Sequence, residues 1–138
     1  MHVLVPMDES PLARAALGEA LELFPESEVT VLHVIDYVEQ QYGVRMIIPQ
    51  DELEQRARNQ AETLFERARE IAADHDARVE TETRVGNPRR VIVDYVESED
   101  VDIVVMGSHG RSTVSKLFLG SVAEGVLRQA PVPVTIVR

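Results

Sequence analysis

The sequence predicts an α/β fold, a parallel β-sheet with helices on both faces. Three observations predict it. Short apolar runs alternate with stretches of helical period along the whole chain, in the order β-α-β-α-β-α-β-α-β. Runs such as Val29–Ile35 and Ile103–Met106 are nearly continuous, as strands covered on both faces require. Helix-start signals, Ser10-Pro11 and Asn87-Pro88, stand directly after strand ends. Strict alternation implies parallel strands joined by right-handed crossovers. At 138 residues the chain suits one domain with a real core, and residues 1–138 are read as a single domain.

Each element has its own reason. His2 to Val5 is a short apolar strand that ends at Pro6-Met7-Asp8. Ser10 is a good N-cap and Pro11 suits the first helical position, and Ala13, Ala16, Leu17, Ala20, Leu21 and Phe24 then fall on one helical face until Pro25. Val29 to Ile35 is a second strand, interrupted by Thr30 and His33. Asp36 to Gln50 has no clean period and contains Gly43 and Pro49, so it reads as a long loop. From Asp51, Leu53, Ala57, Ala61, Leu64, Phe65, Ala68, Ile71 and Ala72 keep the helical period. The opposite, Glu- and Arg-rich face reads as solvated i,i+4 pairs rather than a binding surface.

Arg78 to Val85 alternates weakly, anchored by Val79 and Val85, and reads as a third strand near a sheet edge. Asn87 caps a helix whose apolar face is Val91, Ile92, Tyr95 and Val96. Val101 to Met106 is the fourth strand, and Leu117 to Ala130 the last helix, with Val122, Val126 and Leu127 facing inward. Pro131 to Val137 closes the chain as a strand. Pro131 and Pro133 cannot donate ladder bonds, so an edge position is expected.

The chemistry concentrates after the fourth strand. The strand stops at Gly107, and glycines follow as Gly107-x2-Gly110-x9-Gly120, with Ser121 directly after. A strand that feeds a glycine-rich turn and then a helix can gather backbone N–H groups around an anion, aided by the field of the helix N-terminus. Glycine supplies φ > 0 and lets a ligand approach the backbone. Ser112, Thr113, Ser115 and Ser121 add hydroxyls, and Arg111 and Lys116 add charge. The functional reading is a phosphate cradle; the bland one is a connection that merely turns. In doubly wound sheets the ligand sits beyond the carboxyl ends of the strands, where strand order reverses. If the first and fourth strands are neighbours there, Asp8 and Gly107 face one crevice.

Composition bounds the partners. There are 24 acidic and 14 basic residues, a net charge of −10, and a single lysine, Lys116. That argues against nucleic acid, which needs basic surface. The acid excess with so little lysine resembles proteins of salt-loaded cytoplasms, beside the plainer reading of an acidic mesophile protein. No apolar run has the length of a membrane span and no secretory leader pattern is present, so a soluble, cytoplasmic protein is expected. The absence of cysteine excludes disulfides, thiol catalysis and cysteine metal sites.

Candidate residues carry two readings each. Asp8 could accept a hydrogen bond from an amine or hydroxyl of a nucleotide, or help to cap the next helix. His33 reads as a packed, hydrogen-bonded histidine rather than a ligand. The backbone of His109 matters more than its ring. His2, His33, His75 and His109 lack metal-ligand spacing, although acidic residues could hold Mg²⁺ through a bound triphosphate. Walker A, G-x-G-x-x-G and G-x-S-x-G patterns do not occur, and adjacent Ser108-His109 makes no triad. Binding is supported and no catalytic residue is assigned.

The glycine pattern, with Gly107, Gly110, Gly120 and Ser121, resembles the ATP-binding signature of the universal stress proteins. The resemblance covers the whole chain. Val3 to Ser10 looks like that family's first strand and acidic turn, Leu32 to Ile35 its second strand, and Gly86-Asn87-Pro88 its third turn. Val104 to Arg111 is the most specific match, and Ala130 to Val134 looks like the closing strand. The resemblance implies a Rossmann-like, five-stranded parallel sheet of order 3-2-1-4-5. It implies that Asp8 and the backbone at Val34 hold the adenine and ribose side. Gly107, Gly110, Gly120, Ser121 and Val122 would surround ribose and phosphates. Pro6 and Met7, and Met106, Ser108, His109 and Arg111, complete the candidate set. The implied ligand is ATP, or AMP or ADP, with Mg²⁺ held through the phosphates. The implied assembly is a homodimer through the last strand, Val132 to Val137. Two roles remain, a nucleotide-dependent regulatory module of the stress response and a slow ATPase or nucleotide-using enzyme, and fold alone does not separate them.

Overall fold

A computed structural model describes residues 1–38, 48–110 and 118–138. The strands β1 (His2–Pro6), β2 (Glu28–Ile35), β3 (Glu80–Val85), β4 (Ile103–Gly107) and β5 (Val134–Val137) form one parallel sheet, ordered β3-β2-β1-β4-β5. Between them lie α1 (Pro11–Leu23), α2 (Gln50–Asp74), α3 (Pro88–Ser98) and α4 (Ser121–Gln129). The expected fold class and strand order are both observed.

Successive strand residues point to opposite faces, so each strand feeds two cores. Val3, Val5, Val29, Val31 and Val105 pack with Ala16 and Leu17 of α1 and with Leu64, Phe65 and Ala68 of α2. Leu4, Leu32, Val104 and Met106 pack with Ile92, Tyr95 and Val96 of α3 and with Ala123 and Val126 of α4. Leu4, Leu17 and Leu32 are completely buried, each stabilising the fold by about 2 kcal/mol in transfer terms. This two-sided burial explains the continuous apolar runs, because neither face of the central strands β1, β2 and β4 meets water.

The helix starts form as expected. Ser10 Oγ accepts from the Ala13 amide at 3.2 Å, and Asn87 Oδ1 accepts from the Arg90 amide at 3.2 Å. Pro11 and Pro88 occupy the first turns, where a missing N–H costs nothing. The i,i+4 pairing read on α2 is present in Arg56–Glu52.

Several expectations are corrected. Val85 does not anchor β3: it is the last residue of an edge strand and is 60% exposed. Leu127 does not face inward; it lies one residue beyond the buried stripe of Ala123 and Val126 and is 46% exposed. The last helix starts at Ser121: Phe118 to Gly120 are not helical, the Gly120 amide being bonded at 2.6 Å to the Ser108 carbonyl, and Leu117, where the helix was expected to begin, lies outside the described residues. The last strand starts at Val134, past both prolines that cannot donate to its ladder. Of the loop expected over 36–50, Tyr37 and Val38 are helical, Gln50 opens α2, and 39–47 lie outside the described residues.

Candidate functional site

Strand order reverses at β1. The chain steps outward from β1 to β2 and β3, then returns to build β4 and β5 on the other side. β1 and β4 share only two register pairs, Val3↔Ile103 and Leu4↔Val104, although β1 runs to Pro6 and β4 to Gly107. Their carboxyl ends therefore part, and the gap opens as a cavity of about 700 Å³. Most of the candidate residues line it: Pro6, Met7 and Asp8 from the β1 end, Val34 from β2, Met106 and Gly107 from β4, then His109 and Gly110, and Gly120, Ser121 and Val122 at the start of α4. Ser108 does not. It is 2% exposed and stands behind the wall, its amide donating to the Val137 carbonyl at 2.8 Å and its carbonyl taking the Gly120 amide. Arg111 lies outside the described residues, with Ser112, Thr113, Ser115 and Lys116.

The glycines have a different reason from the one expected. None of Gly107, Gly110 and Gly120 has a positive φ. Each is instead a place where chain meets chain. A Cβ on Gly107 would stand 2.9 Å from Leu12 Cβ, so this glycine lets α1 close on the end of β4. A Cβ on Gly120 would stand 3.2 Å from His109 Cα. A Cβ on Gly110 would stand 2.5 Å from Asp8 Oδ2, so the glycine loop and the acidic turn abut directly. Two loops about 100 residues apart in sequence thus meet at one spot.

Asp8 fills the helix-entry role weighed for it, and its other oxygen is left on the cavity lip. Its Oδ1 accepts from the Ser10 amide at 2.9 Å and steadies the entry to α1, while Oδ2 faces Gly110. Opposite, α4 begins at Gly120, which has no side chain to cap with. The first-turn amides of Ser121, Val122 and Ala123 have no intrahelical acceptors, and all three residues line the cavity. The positive end of the helix dipole points the same way. His109 accepts or donates through Nδ1 to Ser108 Oγ at 3.1 Å and its ring tilts against Phe118. Among the described residues no cluster of three potential metal ligands occurs.

Sequence reasoning missed one wall. Leu53, Arg56 and Gln60 of α2 line the cavity, as does Asp36 beyond β2. The signal was present: Arg56 and Gln60 fall three and seven residues after Leu53, on the same helical stripe as that buried leucine. The polar face was read as solvated, and Arg56, although paired to Glu52 at 3.1 Å, sits where that face turns toward the sheet.

Comparison with known proteins adds to this geometry. The sequence model of the Universal stress protein family matches residues 1–138. The universal stress protein MJ0577 of Methanocaldococcus jannaschii is 31% identical, over 99% of this chain and 93% of that protein. Its solved structure superposes with a TM-score of 0.83 at 33% identity, covering 99% of this chain and 94% of the other. Two more distant proteins share the fold. One is the universal stress protein from Archaeoglobus fulgidus solved in complex with dAMP (TM-score 0.67, 23% identity, 100% of this chain and 98% of that one). The other is a family protein from Arabidopsis thaliana with AMP bound (TM-score 0.63, 16% identity, 99% and 90%).

Proposed function

The chain belongs to the universal stress protein family, and on that premise we propose that it binds an adenine nucleotide in the cavity between the ends of β1 and β4 and acts as a nucleotide-dependent regulatory module of the stress response. One observation carries the reading. The cavity has a carboxylate, Asp8, on one lip and, on the other, a helix N-terminus at Gly120 to Ala123 with no side-chain cap among the described residues. A nucleotide has the complementary ends, hydroxyl and amine donors at the nucleoside and an anion at the phosphates. Val34 and Met106, backed by Leu32 and Ile92, give the apolar wall on which a base packs. The α4 amides then take the phosphates, with Ser121 Oγ as a further donor. Asp8 accepts from the sugar or base. The neighbours that carry dAMP and AMP support an adenine base.

The finer assignments belong to the same proposal. The bound species is ATP, or its hydrolysis products, with Mg²⁺ arriving on the phosphates; Mg²⁺ takes carboxylate and phosphate oxygens readily, and Asp8 and Asp36 both line the cavity. Residues 1–138 work as one unit in the cytoplasm of a salt-rich cell. Two copies pair through the outer edge of β5, whose residues Val134–Val137 are each half-buried in the single chain and edge the sheet.

The test is a calorimetric titration of ATP with Mg²⁺ in molar KCl, with AMP and ADP in parallel and a Gly110→Asp variant beside the wild type. We expect a Kd on the order of 1 μM for the wild type. The variant sets a second carboxylate against Asp8 Oδ2 and should not bind. A wild type that takes up none of the three nucleotides overturns the proposal. Phosphate release from the same samples decides whether the module also hydrolyses what it holds.

A further inference from the structure

We propose that His33 is a positioning residue for Asp8, acting through the peptide bond that joins Met7 to Asp8. The sheet creates the need for it. The β1–β2 ladder ends at Pro6↔Leu32, while β2 continues to Ile35 against β3. The Met7 amide still reaches the Leu32 carbonyl at 2.9 Å, but the Met7 carbonyl lies beyond the last ladder pair, on a residue only 5% exposed. His33 fills this place. Its Nδ1 lies 3.1 Å from the Met7 carbonyl oxygen. A carbonyl only accepts, so Nδ1 carries the proton and the tautomer is fixed. The ring is 7% exposed and held by the edge of Phe65, with centroids 6.5 Å apart and planes at 88°.

The Met7 carbonyl belongs to the peptide plane that includes the Asp8 nitrogen and Cα. A peptide is planar, so a bond that fixes the direction of the C=O also fixes how Asp8 leaves β1. From there Asp8 Oδ1 takes the Ser10 amide at 2.9 Å and Oδ2 faces Gly110. His33 borders the cavity, but its Nδ1 is committed to the Met7 carbonyl, so it sets the carboxylate on the lip through the backbone. Without it the carbonyl would be buried and unpaired, and the plane would turn toward the open cavity to find water.

The proposal rests on the nucleotide reading only for affinity, so its test has a ligand-free arm. Three proteins are compared, the wild type, His33→Leu and His33→Asn; the asparagine amide nitrogen can stand where Nδ1 stood. In the absence of nucleotide, the Ser10 amide should exchange with solvent about tenfold faster in His33→Leu, the scale of one lost buried hydrogen bond. Protection in the middle of α1 should be unchanged, and His33→Asn should restore most of the loss. With nucleotide, His33→Leu should weaken binding about tenfold, and should cost nothing further in an Asp8→Ala background. The imidazole ¹⁵N spectrum of the wild type should give the Nδ1–H tautomer, a measurement that survives if His33→Leu fails to fold. Unchanged Ser10 exchange, identical behaviour of the two variants, additive losses with Asp8→Ala, or an Nε2–H tautomer each overturns the proposal. A wild type that binds no nucleotide overturns the proposed function instead and leaves the exchange and tautomer results to decide this one.

Discussion

Two helices, α1 and α4, begin at the same cavity, and they begin in opposite ways. α1 is closed by its own residues: Ser10 Oγ takes the Ala13 amide and Asp8 Oδ1 takes the Ser10 amide. α4 is preceded by Gly120, which offers nothing to the amides of Ser121, Val122 and Ala123. The first arrangement spends the helix's donors on stability. The second leaves them for whatever enters the cavity, beside a dipole that favours an anion. The difference assigns a polarity to the cavity, with the acceptor on the α1 side and donors on the α4 side.

That contrast can be broken from the α4 side. Gly120→Asp would give α4 the cap it lacks, occupying its amides with a carboxylate of its own. Nucleotide affinity should fall about a hundredfold, since both the donors and the field are lost to the phosphates; a calorimetric Kd equal to that of the wild type would show that the anion sits elsewhere. A smaller effect concerns charge. The chain carries a net −10, so a nucleotide anion is repelled by the whole molecule and attracted only locally. Raising KCl from about 0.1 to about 1 M shortens the Debye length from about 10 to about 3 Å. Affinity should then rise severalfold, and a fall would mean that basic side chains dominate the contact.

The α1 side should respond in stability rather than binding. Ser10→Ala removes a side-chain cap and should cost about 1 kcal/mol in a denaturant titration, with the nucleotide Kd unchanged. The smallest effect lies at the far end of α1. His75 has its pKa raised from the ordinary 6.5, first by its bond to the Ile71 carbonyl and next by Glu22. A raised value in the folded state adds stability below pH 6.5 that fades as pH climbs through that value. Glu22→Gln should narrow the gap in melting temperature between pH 5.5 and pH 8, leaving the cavity untouched.

The sequence was readable wherever the cause is local. Ser10-Pro11 and Asn87-Pro88 cap as read, because a cap needs only residues three positions apart. Continuous apolar runs became central strands. The glycines are legible as a pattern, but the positive φ expected of them is absent, and they accommodate Leu12, Asp8 and His109, neighbours that only the closed fold supplies. The same limit applies to the exposed Val85 and Leu127, where period gave a face and nothing said whether another element covers it. The parting of β1 and β4 after two register pairs makes the cavity, and no residue type announces it. Arg56 and Gln60 were visible as an extension of the Leu53 stripe and were passed over because charged helical faces are so often merely wet.

The Ser108 amide hangs from the Val137 carbonyl, at the end of the outermost strand, and Ser108 in turn holds Gly120. The rim of the cavity and the margin of the sheet are therefore one mechanical piece. A copy docked along β5 and a nucleotide in the cavity, both as proposed, would press on the same few atoms. Whatever factor one of them applies to the other's dissociation constant, the second must return to the first. If copies pair along β5 as proposed, dilution that separates them should register as a change in nucleotide affinity, so protein concentration is a variable to be held in every titration.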